Sequence, residues 1–140
     1  MNVAAIGGAV IGDLPATGLD KEYFLIRGCF IDARGGFEAH LTTTWGFGVK
    51  VLTQTHDISD GKIGQVVSRK VIVKEGAWIG SFSLLYNCII CENSIVAAGS
   101  VVRNCEVGQG VMVAGNPVQV IARLKDGKWQ YIEDKWRKLE

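Results

Sequence analysis

Proline is scarce in this chain, at 2 of 140 residues, and charge of one sign never accumulates: no run of Lys or Arg exceeds two, and the net charge is +1. That balance leaves no phosphate-backbone footprint, so a nucleic-acid partner is not expected. The opening stretch MNVAAIGGAVIGDLPATG has no basic segment of the signal-peptide kind. Its apolar run is too short to span a membrane, and a cytoplasmic location is the expectation. Gly7, Gly8 and Gly12 do not make GxGxxG, and no helical period follows them, which argues against a dinucleotide-binding turn. Of four cysteines, Cys88 and Cys91 form a CxxC, but no second pair and no nearby His accompanies it. The thiols read as small apolar residues of a reducing compartment, with no metal expected. Histidine is limited to His40 and His56.

What the chain has instead is 18 glycines spread along its length and 48% hydrophobic residues, within the size of one domain. Apolar residues recur every six positions: Leu25, Ile31, Phe37, Thr43 and Val49 form one series, with Thr43 out of character. Ala39, Trp45 and Val51 form a second, and Val73, Ile79 and Leu85 continue the spacing. The step shortens to five at Leu85–Ile90 and again at Val102–Val107, and is otherwise six through Val113. Neither a strand period of 2 nor a helix period of 3.6 produces this pattern. Short strands joined by turns and stacked as coils do, each coil burying its inner face only against its neighbours.

The spacing predicts coils over about residues 24–117, with two interruptions. Residues 57–70 (DISDGKIGQVVSRK) lack the six-period and read as an excursion loop, which Gly61 and Gly64 would leave free to close over a ligand. Beyond Pro117, Trp129, Ile132, Trp136 and Leu139 fall at three- and four-residue spacings, which predicts a short amphipathic helix over about 126–139. Its charges are mixed in sign, so it suits a packing face better than a membrane surface.

The two histidines differ in setting. His40 follows the repeat residue Ala39 and reads as a turn residue. His56 ends a coil and opens the excursion in Thr-Gln-Thr-His-Asp, where a turn cap and a general base are both open readings.

Five short segments, in order, then resemble one family. They are Ile31-Asp32-Ala33-Arg34-Gly35, Thr55-His56-Asp57, Gly76-Ala77-Trp78-Ile79-Gly80-Ser81, Ala98-Gly99-Ser100-Val101-Val102 and Val113-Ala114-Gly115-Asn116-Pro117. The chain from Phe30 to Pro117 resembles the hexapeptide-repeat acetyltransferases, nearest to the maltose, galactoside and polysaccharide O-acetyltransferase branch. The resemblance implies an all-β solenoid, a left-handed parallel β-helix, and a homotrimer with active sites between adjacent prisms. It implies transfer of an acetyl group from acetyl-CoA to a hydroxyl of a sugar or similar small acceptor, directly in a ternary complex, with His56 as base.

By the same resemblance, Ser81 and Ala98 offer backbone groups to the pantetheine arm, Trp78 borders that channel, and Arg103 and Asn104 lie near the cofactor. Asp32, Arg34 and Asp57 line the acceptor side, although Asp32 and Arg34 equally suit a structural ion pair across a turn. The family's usual basic residue after Asn-Pro is absent, since Val118 and Gln119 follow, and Arg123 or Lys125 would have to meet the CoA phosphates. The region before residue 25 is short for the family and shows no helical cap. A zinc hydratase on the same kind of coil would need three imidazoles, which two histidines do not supply. The remaining alternative is a non-catalytic β-helix scaffold. If the chain is an enzyme, residues 57–70 are expected to choose the acceptor.

Overall fold

The computed structural model describes residues 8–133. The chain winds as a parallel β-solenoid of about five turns with three walls. Coil 1 holds β1 (Ala9–Ile11), β2 (Ala16–Thr17) and helix α1 (Lys21–Ile26). Coil 2 holds β3 (Phe30–Asp32), β4 (Phe37–Ala39) and β5 (Thr44–Trp45). Coil 3 runs through β6 (Lys50–Leu52), a hairpin of β7 (Gln54–His56) and β8 (Val66–Ser68), then β9 (Val71–Val73) and β10 (Trp78–Ile79). Coil 4 is β11 (Leu84–Ile90) and β12 (Ile95–Val96), and coil 5 is β13 (Val101–Val107) and β14 (Val111–Gly115). An antiparallel hairpin, β15 (Val118–Lys125) and β16 (Lys128–Tyr131), extends the third wall.

Register converts the six-residue clock into three buried columns. Ile31, Val51, Leu85 and Val102 stack inside the first wall, Ala39, Val73, Ile90 and Val107 inside the second, and Trp45, Ile79, Val96 and Val113 inside the third. Each is nearly inaccessible to water, and this burial is the main favourable term holding the coils together. Thr43 belongs inside after all: its hydroxyl donates to the His40 carbonyl (2.7 Å) and accepts from Trp45 Nε1 (2.9 Å).

The corners explain the irregular steps. Both five-residue steps turn from the first wall to the second through one residue at positive φ, Asn87 (45°) and Asn104 (53°). A single left-handed residue turns the chain in less length, and Asn tolerates that region. Their side chains bond to each other, Asn87 Nδ2 donating to Asn104 Oδ1 at 2.9 Å.

Two expectations need correction at the ends. The coils begin before residue 24, at β1, and coil 1 carries the helix that the sequence did not reveal. Asp20 caps α1 by accepting from the Tyr23 N–H at 2.9 Å. Leu25 thus sits on a helix, and Phe24 takes the inward place, edge-on to Phe37 and Trp45 at centroid distances of 5.8 and 5.2 Å.

At the other end, the predicted helix over 126–139 does not start: residues 128–131 are strand β16. Asp126 and Gly127 both have positive φ (52° and 74°), the two-residue hairpin turn that Asp-Gly favours. Leu124 lies opposite Trp129 across it. Trp136 and Leu139 lie outside the described residues. No helix among the described residues is long and apolar enough to cross a membrane.

Candidate active site

The excursion emerges where coil 3 should turn from the first wall to the second. Thr53, fully buried, anchors its base. Its hydroxyl donates to the Asp32 carbonyl (2.6 Å) and accepts from the Gly35 N–H (2.8 Å), while its carbonyl accepts from the Arg69 N–H (2.7 Å). The strands pair antiparallel, with His56 opposite Val66. The loop between them is closed on itself: Gly64 N–H donates to the Asp57 carbonyl (2.6 Å) and Gly61 N–H to the Ile58 carbonyl (3.0 Å). The glycines that suggested a hinge therefore serve a compact turn.

His56 is exposed on β7, and its Nδ1 lies 2.9 Å from the Gly64 carbonyl oxygen. A carbonyl can only accept, so Nδ1 carries the proton and the neutral ring presents an unprotonated Nε2. That is the tautomer a general base needs. His40 is the reverse case, since its Nδ1 accepts from the Thr42 N–H at 3.2 Å.

His56 shares a cleft of about 270 Å³ with Asp32, Arg34, Gln54, Thr55 and Val66. Asp32 is buried and takes a forked pair from Arg34, with Nε and Nη2 each at 2.9 Å, plus the Arg34 N–H at 3.2 Å. The structural ion pair and the cleft position thus coexist. The sequence gives no role to Gln54 or Val66, and Thr55 enters only as part of Thr55-His56-Asp57; the hairpin pairing is the signal that finds them.

Hydrogen bonding from the Arg34 side chain holds the Asp32 carboxyl below the usual aspartate range. A lowered folded value stabilises the fold above the ordinary aspartate range and is lost as pH falls through the lowered value. Asp32→Asn should therefore flatten the acid limb of stability against pH, read from urea unfolding midpoints at neutral and acid pH. An acid limb identical to wild type would show that Asp32 is not its source.

Asp57 stands outside this arrangement. Its Oδ1 accepts from the Ser59 N–H at 2.9 Å, the bond that lowers its carboxyl below the usual range. Arg103, paired with Tyr86 on the first wall, borders an adjoining cleft of about 280 Å³ that also reaches Gln54 and Thr55. Asn104 is the corner residue beside it. The His56 hairpin, Asp32, Arg34, Arg103 and Asn104 thus gather at the corner between the first and second walls.

Trp78, Ser81 and Ala98 do not join them: Trp78 lies on the third wall, and Ser81 and Ala98 at the corner between that wall and the first. Trp78 is half exposed on β10. Ser81 Oγ accepts from the Phe47 N–H (3.0 Å) and its carbonyl from the Gly99 N–H (2.8 Å). The N–H groups of Ser81 and Ala98 have no hydrogen-bond partner among the described residues. Arg123 is exposed opposite Val111 on the C-terminal hairpin, toward the other edge of the third wall and away from Ser81 and Ala98.

The thiols are inward or tied down. Cys88 stacks on Cys105, and burial pushes its thiol up to about 12. Cys91 donates to Glu106 Oε1 at 3.2 Å. No group of three metal-ligating side chains occurs among the described residues.

No protein-family model matches the sequence, and no curated protein matches it. Solved structures do match its fold. A maltose O-acetyltransferase from Clostridium difficile superposes with a TM-score of 0.65 at 22% identity, over 71% of this chain and 54% of that one. A variant of AntD, an N-acyltransferase from Bacillus cereus, in complex with dTDP and coenzyme A, gives 0.60 at 23%, over 70% and 57%. A hexapeptide-repeat acetyltransferase from Vibrio cholerae gives 0.59 at 23%, over 65% and 53%. The chain spans little more than half the length of each. This protein is a β-solenoid with the fold of the hexapeptide-repeat acyltransferases.

Proposed function

We propose that the protein is an acyltransferase that moves an acetyl group from acetyl-CoA to a hydroxyl of a sugar or similar small acceptor. The observation that carries this reading is His56: Nδ1 is occupied by the Gly64 carbonyl, so Nε2 is free to take a proton at the edge of a polar cleft. Nε2 removes the acceptor's hydroxyl proton as the oxygen attacks the thioester carbon. The C–S bond then breaks, and the proton passes from Nε2 to the departing thiolate. No enzyme nucleophile is required, in keeping with the buried Cys88 thiol. Asp32 and Arg34 orient the acceptor, and the N–H groups of Ser81 and Ala98 hold amide carbonyls of the donor's arm. Positioning of the two substrates supplies much of the acceleration.

The base and the donor amides lie on different corners of one prism, so this reading needs a second copy. A threefold arrangement about an axis parallel to the solenoid sets the His56 corner of one chain against the Ser81 corner of the next. The homotrimer is therefore part of the proposal, and the enzyme is read as cytoplasmic. The coil supports a rigid site, and the excursion over residues 57–70, interrupting it beside the base, is read as selecting the acceptor. The test is purified protein with acetyl-CoA and a panel of sugars, read as acceptor-dependent release of free thiol, alongside its mass by sedimentation equilibrium. Thiol release with a trimer mass is the expected result. A monomer, or no acceptor-dependent release, would overturn it.

A further inference from the structure

At the corner between the third wall and the first, one column of residues turns every coil. Gly28 (φ 65°), Gly48 (65°), Phe82 (61°) and Gly99 (71°) are stacked, each of the last three donating its N–H to the carbonyl that precedes its neighbour below. Four other non-glycine residues of the described chain have positive φ, and all are Asn or Asp, which tolerate it. Phe82 is the exception: a bulky side chain in a glycine's place, and 72% exposed. Such an outlier persists only where its surroundings hold it, and outliers of this kind cluster at functional sites. The ring is folded over Gly48, where a Cβ would come within 2.7 Å of Cδ1. On the other side, a Cβ at Gly99 would meet nothing within 4 Å. The corner is thus open at coil 4 and stopped at coil 3.

We infer that Phe82 is the end-stop of the donor channel and limits the acyl group to a short chain. The inference rests on the acyltransferase reading. The unpartnered N–H groups of Ser81 and Ala98 lie on this corner, Ser81 next to Phe82 in the chain and Ala98 next to Gly99, one coil above. His56 and Phe82 both belong to coil 3, and both reach toward coil 2: the His56 cleft includes Asp32 and Arg34, and the ring covers Gly48. Copies related by an axis parallel to the solenoid keep such heights equal, so the reacting carbonyl at His56 stands level with the stop. The corner is open past Gly99 and stopped at Gly48, so the donor's arm extends toward coils 4 and 5 and its acyl group toward Phe82.

Removing the ring frees about one coil spacing, ~4.8 Å, room for roughly three methylene groups at bonds of about 1.5 Å. The experiment compares wild type and Phe82→Gly for kcat/KM with acetyl-, butanoyl- and hexanoyl-CoA and one acceptor. Glycine already fills this column at three other coils, so the variant folds, and its thermal midpoint should not fall. Wild type should prefer acetyl-CoA, and the variant should raise the butanoyl-to-acetyl ratio by at least about tenfold. An unchanged ratio with intact wild-type activity would overturn the end-stop alone. So would a wild type that prefers the longer donors. No transfer by wild type from any donor would instead remove the acyltransferase reading on which it rests.

Discussion

His56→Ala should lower turnover by about 10²–10⁴-fold, the usual cost of a lost general base, while fold and assembly survive. The imidazole is exposed and its one hydrogen bond is to the Gly64 carbonyl, which water can satisfy once the ring is gone. Stability should therefore move by no more than about 0.5 kcal/mol, as for other surface changes. Donor affinity by calorimetry should be nearly unchanged, because the groups proposed to hold the donor's arm are the backbone N–H groups of Ser81 and Ala98 in the neighbouring chain, not the imidazole. The residual rate reports substrate positioning alone. His40→Ala is the matched control: its Nδ1 is spent on the Thr42 N–H, and it lies at a different corner. Steady-state kinetics with the best acceptor decides the matter. Unchanged turnover in His56→Ala, or an equal loss in His40→Ala, would remove His56 as the base.

Gly35→Ala should cost stability rather than chemistry, and heavily. A Cβ on Gly35 would collide with the Thr53 carbonyl, a backbone atom with little freedom to retreat. That carbonyl accepts from Arg69, and the Thr53 hydroxyl is held between Gly35 and Asp32, so any shift breaks bonds that fix the base of the hairpin. Overpacking of this kind costs about 3 kcal/mol, which for a chain of this size lowers the thermal midpoint by roughly 10 °C. Gly99→Ala is the informative contrast. It adds a side chain at positive φ but meets no atom, so it should cost about 1 kcal/mol, the strain alone. Calorimetric melts of the two variants check the ranking. Equal midpoints would mean that the Gly35–Thr53 approach relaxes freely.

Much of the solenoid is visible in the residue spacing because its cause is local. Six residues suffice for one short strand and one turn, so Ile31, Phe37 and later Val73, Ile79 and Leu85 repeat as the chain rounds each corner. The excursion was equally plain as a stretch without that clock. The shortened steps at Leu85–Ile90 and Val102–Val107 were visible but carried no meaning by themselves; the left-handed Asn87 and Asn104 supply it. Helical spacing misled at Trp129 and Ile132, where Asp126-Gly127 was the stronger local signal and made a hairpin.

The site was legible only in part, and the division follows from how a solenoid is built. His56 could be proposed as a base because it stands at the break in the repeat, a local property of the chain. Its tautomer depends on the Gly64 carbonyl folding back across the hairpin, and its companionship with Asp32 and Arg34 depends on coil 2 lying beneath coil 3. Spacing along the chain says how many residues make a coil, but not which corner a side chain occupies. Stacking decides that, through the backbone hydrogen bonds that set register between coils. It put Arg103 with the hairpin, Ser81 and Ala98 on another corner, and a phenylalanine in a column of glycines.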